Sequence, residues 1–231
     1  PNDAYNRLYW TGEAYPKYGT SASMVTGSSG YPAAGWRLGV PSPPDAPTVS
    51  VTGTADASLI PTTVSYVYTY VTQLGEEGPP SLASAPVDWD EVNQTVTVTM
   101  TNGTLTGNYN IGTGSLKRIY RSNTSSSATA YQFVAEVPYA TTSFVDDVSS
   151  ALLAEVLPSD GWIGPPDDDS ATYSSGPLQG LINAANGIMA GFTGNRLCLS
   201  VPYLPHAWPE NYRITLESNI VNIAATASGI L

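Results

Sequence analysis

The chain has 231 residues, of which 42% are hydrophobic and only 12% charged, and it carries a formal net charge of −11 with eight Lys plus Arg. That length can bury one large or two ordinary cores without covalent staples. The charged share is about half the ~25% of an average soluble domain, and so few cations argue against a phosphate-binding face for nucleic acid.

Polarity comes instead from Thr, Ser, Asn and Gly, and with 15 Tyr and many Val the mixture favours strands over helices. A single cysteine, Cys198, rules out an intrachain disulfide and a Cys-based zinc site. It sits in the alternating run Arg196-Leu197-Cys198-Leu199-Ser200 and reads as a small buried hydrophobe. No apolar run approaches the ~18 residues of a membrane-spanning helix. The absence of an initial Met and the apolar stretch 220–231 at the other end read as cuts through a longer polypeptide.

Along the chain, residues 1–45 are rich in Tyr, Gly and Pro. Arg7-Leu8-Tyr9-Trp10 reads as a short strand, Tyr15-Pro16-Lys17-Tyr18 as a loop, and Trp36 to Val40 as another strand. Four prolines between Pro41 and Pro47 force extended backbone and mark a domain boundary. From 46 to 149, six or seven short strands are expected: 48–52, 63–72, 94–100, 116–121, 131–137 and 143–145. In 63–72, Val64, Tyr66, Tyr68 and Tyr70 share one face. Gly75-Glu76-Glu77-Gly78, Asn102-Gly103 and Gly112-Thr113-Gly114 punctuate the series as exposed turns. Short alternating strands at even spacing predict a two-sheet β-sandwich of fibronectin type III or immunoglobulin-like form. A linker covers 150–175, with Asp167-Asp168-Asp169 as a solvated, self-repelling run. Residues 176–231 hold strands at 181–182, 187–192, 196–200, 212–216 and 220–224, with Asn186-Gly187 and Gly194-Asn195 as hairpin turns. This last pattern is that of one propeller blade and the start of another.

Groups for chemistry are sparse. The single histidine, His206, lies between prolines and aromatics in Tyr203-Leu204-Pro205-His206-Ala207-Trp208-Pro209, a packed loop rather than a metal or triad site. The Asp triplet lacks the spacing of a calcium loop, and there is no glycine-rich phosphate loop. Lys117, Arg118 and Arg121 share one strand and await an acidic neighbour. No enzyme activity, metal or cofactor is expected. Aromatics crowd the first segment, among them Tyr5, Tyr9, Trp10, Tyr15, Tyr18, Tyr31 and Trp36, and suit a core, a subunit interface or sugar stacking. The residues singled out for an interface are Tyr9, Trp10, Tyr15, Tyr18, Tyr203, His206 and Trp208.

Several stretches together resemble bacteriophage virion proteins of the tail tubular B, or tail nozzle, type. They are YNRLYWTGEAYPKYGT (5–20), GWRLGVPSPPDAPTV (35–49), YVYTYVTQLGEEGPPS (66–81), KRIYRSNTSSSATAYQFVAEVP (117–138) and NGIMAGFTGNRLCLSVPYLPHAWPENYRITLESNIVNIAA (186–225). The resemblance implies an all-β protein, with the sandwich inserted between parts of a β-propeller-like platform that here lacks most of its blades. It also implies a structural virion component made in the host cytoplasm. Such a protein forms a homo-oligomeric ring, a hexamer, with itself and contacts other tail proteins. Genomic DNA passes through the bore without specific binding, and nothing inserts into a membrane. An acidic chain suits that passage, since like charge keeps DNA from adhering. A different class of function, adhesion to a host surface glycan through the sandwich or its aromatic loops, is the alternative.

Overall fold

In the computed structural model of the chain, the described residues are 6–25, 35–105, 107–124, 128–226 and 229–231. They form several small antiparallel sheets and almost no helix, so the fold class is all-β. The chain separates into two compact units. Pro1–Pro41, Leu105–Asn110 and Gly161–Leu231 make the first, and Ser42–Thr104 with Ile111–Asp160 make the second. Tyr5 and Tyr31 lie outside the described residues.

The first unit opens with β1 (Arg7–Trp10), β2 (Lys17–Thr20) and β3 (Trp36–Arg37), an antiparallel sheet in that order. The expected loop at 15–18 is therefore partly strand: Lys17 and Tyr18 pair with Trp10 and Tyr9 on one side and with Arg37 and Trp36 on the other. Partners distant in sequence override the local Tyr-Pro signal. Tyr18 stacks on Tyr9 and leans on Trp36, with ring centroids 5.9 and 5.6 Å apart. The expected strand over 36–40 shortens to two residues. Thr20 then caps a single helical turn, Ser21–Met24, by accepting from the Ser23 N–H.

The second unit holds β4 (Thr48–Gly53), β5 (Thr62–Val64), β6 (Tyr66–Val71), β7 (Val87–Trp89), β8 (Gln94–Thr99), β9 (Leu116–Thr124), β10 (Thr129–Pro138) and β11 (Ser143–Asp146). Their sheets run β11-β8-β4, β10-β9-β6 and β5-β7. In β8 the period of two puts Val96 and Val98 inside, and Met100 follows them just beyond the strand. Gly53 ends β4 at φ +109°, where a Cβ would lie 2.5 Å from the Asn93 carbonyl oxygen.

The single strand expected over 63–72 is two strands. The chain changes sheets at Ser65, whose N–H donates to Ser122 Oγ while its carbonyl accepts from the Ser122 N–H. β5 then pairs with β7 and β6 with β9. Every residue of β6 is buried, on both faces. Tyr66, Tyr68 and Tyr70 send their hydroxyls to Asp146 and to the Thr101 carbonyl. The free side of β6 is followed by the irregular segment 76–84: Gly78, Ser81 and Ser84 donate their N–H groups to Tyr70, Tyr68 and Tyr66. The Ser81 and Ser84 hydroxyls accept the Tyr68 and Tyr66 N–H groups in return, standing in for the carbonyls of a regular strand. On the far side of the sheet, residues 154–157 bond along β10 through Phe133 and Tyr131.

The first unit resumes with β12 (Gln179–Asn183), β13 (Met189–Thr193), β14 (Arg196–Leu199), β15 (Arg213–Thr215), β16 (Ala225–Thr226) and β17 (Gly229–Ile230). β12 to β15 form a four-stranded sheet in sequence order, and β16 pairs with β17. β13 starts at 189 rather than 187, because Asn186 and Gly187 take left-handed backbone (φ 59° and 68°) in the preceding turn. Gly191 lies under Leu178, where a Cβ would come within 2.7 Å of the Leu178 side chain. Residues 220–224, expected as a strand, are irregular; Ile220 donates its N–H to Gly194 instead of joining a ladder. Ala190, Phe192 and Ile223 form a core to which Ile182, Leu197, Leu199, Ile220 and Ile230 add. Cys198 is fully buried in β14.

Candidate interaction surfaces

The seven residues singled out for an interface divide between inside and outside. Tyr18, His206 and Trp208 are buried. Trp208 donates from its indole nitrogen to the Pro205 carbonyl, and the His206 ring meets Trp162 edge-on at 6.1 Å. These three pack the interior and have no surface to offer a partner. Tyr9, Trp10 and Tyr15 are half-buried. Tyr15 is held beneath the Arg37 guanidinium, 4.3 Å from its ring centre, and Trp10 donates to Glu13. Tyr203 is the one that projects. It is 60% exposed at φ 63°, a left-handed backbone that β-turn packing imposes on a non-glycine residue. Its N–H donates to the Gly187 carbonyl, and its ring lies where a Gly187 Cβ would be, 2.4 Å away.

The acidic segments are more engaged than their local sequence suggests. Glu76 and Glu77, expected as an exposed turn, are buried. Glu77 accepts from Thr69 and Tyr120 on one carboxylate oxygen and from Arg118 on the other. Arg118 also reaches Glu136. Burial opposes the Arg118 charge, but Glu136 and Glu77 outweigh it and raise its pKa. Arg121 and Asp146 form a fully buried ion pair at 2.6 Å, and Tyr66 donates to the same Asp146 oxygen at 2.8 Å. Burial and the Asp146 charge push the Tyr66 pKa far above its ordinary value. In the first unit, Asp167 and Asp168 are not a free linker: both pair with Arg37, at 2.6 and 2.7 Å. Asp169 instead closes a turn by accepting from Ala171 and Thr172. The acidic neighbours awaited by Arg118 and Arg121 thus exist, drawn from segments 41, 18 and 25 residues away.

Among the described residues, no three His, Cys, Asp or Glu side chains cluster as metal ligands. The surface that stands out is apolar. A groove of about 650 Å³ in the first unit is lined by Leu197, Leu216, Ile220, Val221, Ile223, Ile230 and Leu231, with Ser218, Asn219 and Asn222 among them. Val221 is 92% exposed and Leu216 46%, and Ile214 on neighbouring β15 is 49% exposed. The apolar residues Ile220, Val221 and Ile223 fit a strand as well as they fit a surface, so the sequence does not single out this groove. No family model and no curated protein sequence matches this chain.

Proposed function

We propose that the chain is a structural component of a phage tail, of the nozzle or tail-tube kind, that works through its surfaces as a scaffold for assembly and DNA passage. On this reading the second unit is a fibronectin type III or immunoglobulin-like sandwich inserted between parts of a propeller-like platform. The chain assembles with copies of itself into a ring, contacts other tail proteins, and is made in the host cytoplasm before entering the virion. It performs no catalysis. The observation that carries the reading is the groove of the first unit, where Leu216, Val221 and Leu231 stand exposed over the core-packed Leu197, Ile220 and Ile230: exposed aliphatic side chains grouped in this way mark surfaces that another protein covers. The resemblance of the segments 5–20 and 186–225 to tail nozzle proteins supplies the biological setting. The net charge of −11 agrees with a passage that does not retain DNA.

Electron microscopy of purified protein and of particles tests this. The reading expects a six-fold ring and a Val221→Asp variant that stays monomeric; a chain absent from particles and monomeric at high concentration defeats it. One observation favours a second reading, adhesion to host glycan: the exposed ring of Tyr203, rigidly mounted on its turn, is suited to stacking against a sugar. Retention on a glycan array, lost in Tyr203→Ala, would support that reading instead.

A further inference from the structure

Lys117, the second residue of β9, differs from the other cations of its strand. Arg118 and Arg121 each hold a carboxylate, whereas no ion pair joins Lys117 to any described residue. Its side chain is fully enclosed, with Nζ 5.8 and 5.4 Å from the ring centres of Tyr68 and Tyr139. Its hydrogen bonds go to two neutral oxygens: Oδ1 of Asn102 at 2.5 Å and the main-chain oxygen of Thr141 at 2.7 Å. Asn102 is itself held in place. Tyr139 donates its hydroxyl to the Asn102 main-chain carbonyl at 3.0 Å, and Tyr68 donates to that of Thr101 at 3.1 Å. Gly103, next in the chain, is pinned at φ +40° against Pro44.

A lysine enclosed this way is a poor cation and a good nucleophile. Burial lowers its pKa to about 8, so a substantial fraction of the amine is neutral near physiological pH. The carbon of the Asn102 carboxamide is one carbonyl bond, about 1.23 Å, from the oxygen that Nζ touches. A small rotation of that amide therefore brings the amine, whose own side chain is enclosed, against an electrophilic carbon. Proximity of this kind replaces the collision that the same reaction needs in solution.

We propose that Lys117 and Asn102 are a self-cross-linking pair that forms an intramolecular isopeptide bond. The Nζ–Cγ bond forms as the Cγ–Nδ2 bond breaks; one proton passes from Nζ to Nδ2, and ammonia leaves. Nothing is oxidised or reduced, and no second reactant is consumed. The hydroxyls of Tyr68 and Tyr139 hold the main chain that carries the amide, through the Thr101 and Asn102 carbonyls. The bond ties the start of β9 to the irregular stretch that follows β8 and closes the loop 102–117 covalently.

Intact-mass spectrometry of the purified full chain, after incubation at pH 8 to 9, tests the proposal. The expected result is a mass lower than the sequence by one ammonia, a deficit that survives hydroxylamine and maps to a branched peptide joining residues 102 and 117. The rival reaction at this Asn-Gly pair, attack by the Gly103 nitrogen, gives a succinimide of the same mass that hydroxylamine opens. Lys117→Met keeps an enclosed apolar side chain and should restore the full mass. An unchanged wild-type mass, a hydroxylamine-sensitive deficit, a deamidated product alone, or a deficit that persists in Lys117→Met overturns the proposal.

Discussion

The two units draw on the same charge-poor composition but put their ionic groups in opposite places. The second unit buries Lys117, Arg121, Asp146, Glu76 and Glu77. The first fills its interior with Leu178, Ala190, Phe192, Cys198 and Trp208, and keeps ion pairs such as Lys17–Glu13 near solvent. A buried ion pair adds little net stability over a well-packed apolar one, but it penalises any arrangement that leaves one charge alone. Lys117 apart, the second unit therefore relies on matched partners, and the first on shape.

That contrast can be broken most directly at Arg121. Arg121→Ala strands Asp146 without its cation, and the second unit should lose about 3–5 kcal/mol of stability in urea denaturation. A loss below ~1 kcal/mol would mean that water reaches Asp146. In the first unit the corresponding change is apolar: Trp208→Ala opens a cavity beside the 205–208 loop and should cost about 3–4 kcal/mol. Its effect should be independent of salt and pH, as a cavity in an apolar interior is.

An alkaline titration sharpens the difference further. Burial, first of all, raises the pKa of Tyr66, Tyr70 and Tyr120 well above the ordinary 10.0. Above pH 10 the unfolded chain gives up these protons while the folded one keeps them. Stability is thus fully present below pH 10 and falls above it, by about 1.4 kcal/mol per pH unit for each such tyrosine. Unfolding followed by tyrosinate absorbance should show the second unit failing first, and Tyr66→Phe should flatten the fall. The smallest effect belongs to the surface: Glu13→Gln removes an exposed partner of Lys17 and should change stability by no more than about 0.5 kcal/mol, vanishing at high salt.

How far the sequence disclosed this arrangement depended on whether the partner was local. Alternation found the strands around Val49, Val96 and Val98 because their burial follows the period of two. It placed Tyr66, Tyr68 and Tyr70 on one face but could not show that the other face of β6 is buried too. β7, the three residues directly after Pro86, is too short to carry a pattern. Glu76 and Glu77 look like a solvated turn until Thr69, Arg118 and Tyr120 are brought beside them. The same limit holds for surfaces. Aromatic density drew attention to Tyr18, His206 and Trp208, which are interior, and away from the aliphatic groove at Leu216 and Val221.

The serine-bearing segment beside β6 has a consequence for how the protein behaves when crowded. Ser81 and Ser84 occupy the hydrogen-bonding groups of Tyr66 and Tyr68, while Pro79, Pro80 and Pro86 offer no N–H to a newcomer. Residues 154–157 do similar service along β10. A sheet finished in this way presents no ready template on which a stray chain could grow a fibril. Copies can then be concentrated at one place without sticking through their tyrosine-rich strands, and a flank with Ser81 and Ser84 both changed to Ala should be the one that seeds amyloid.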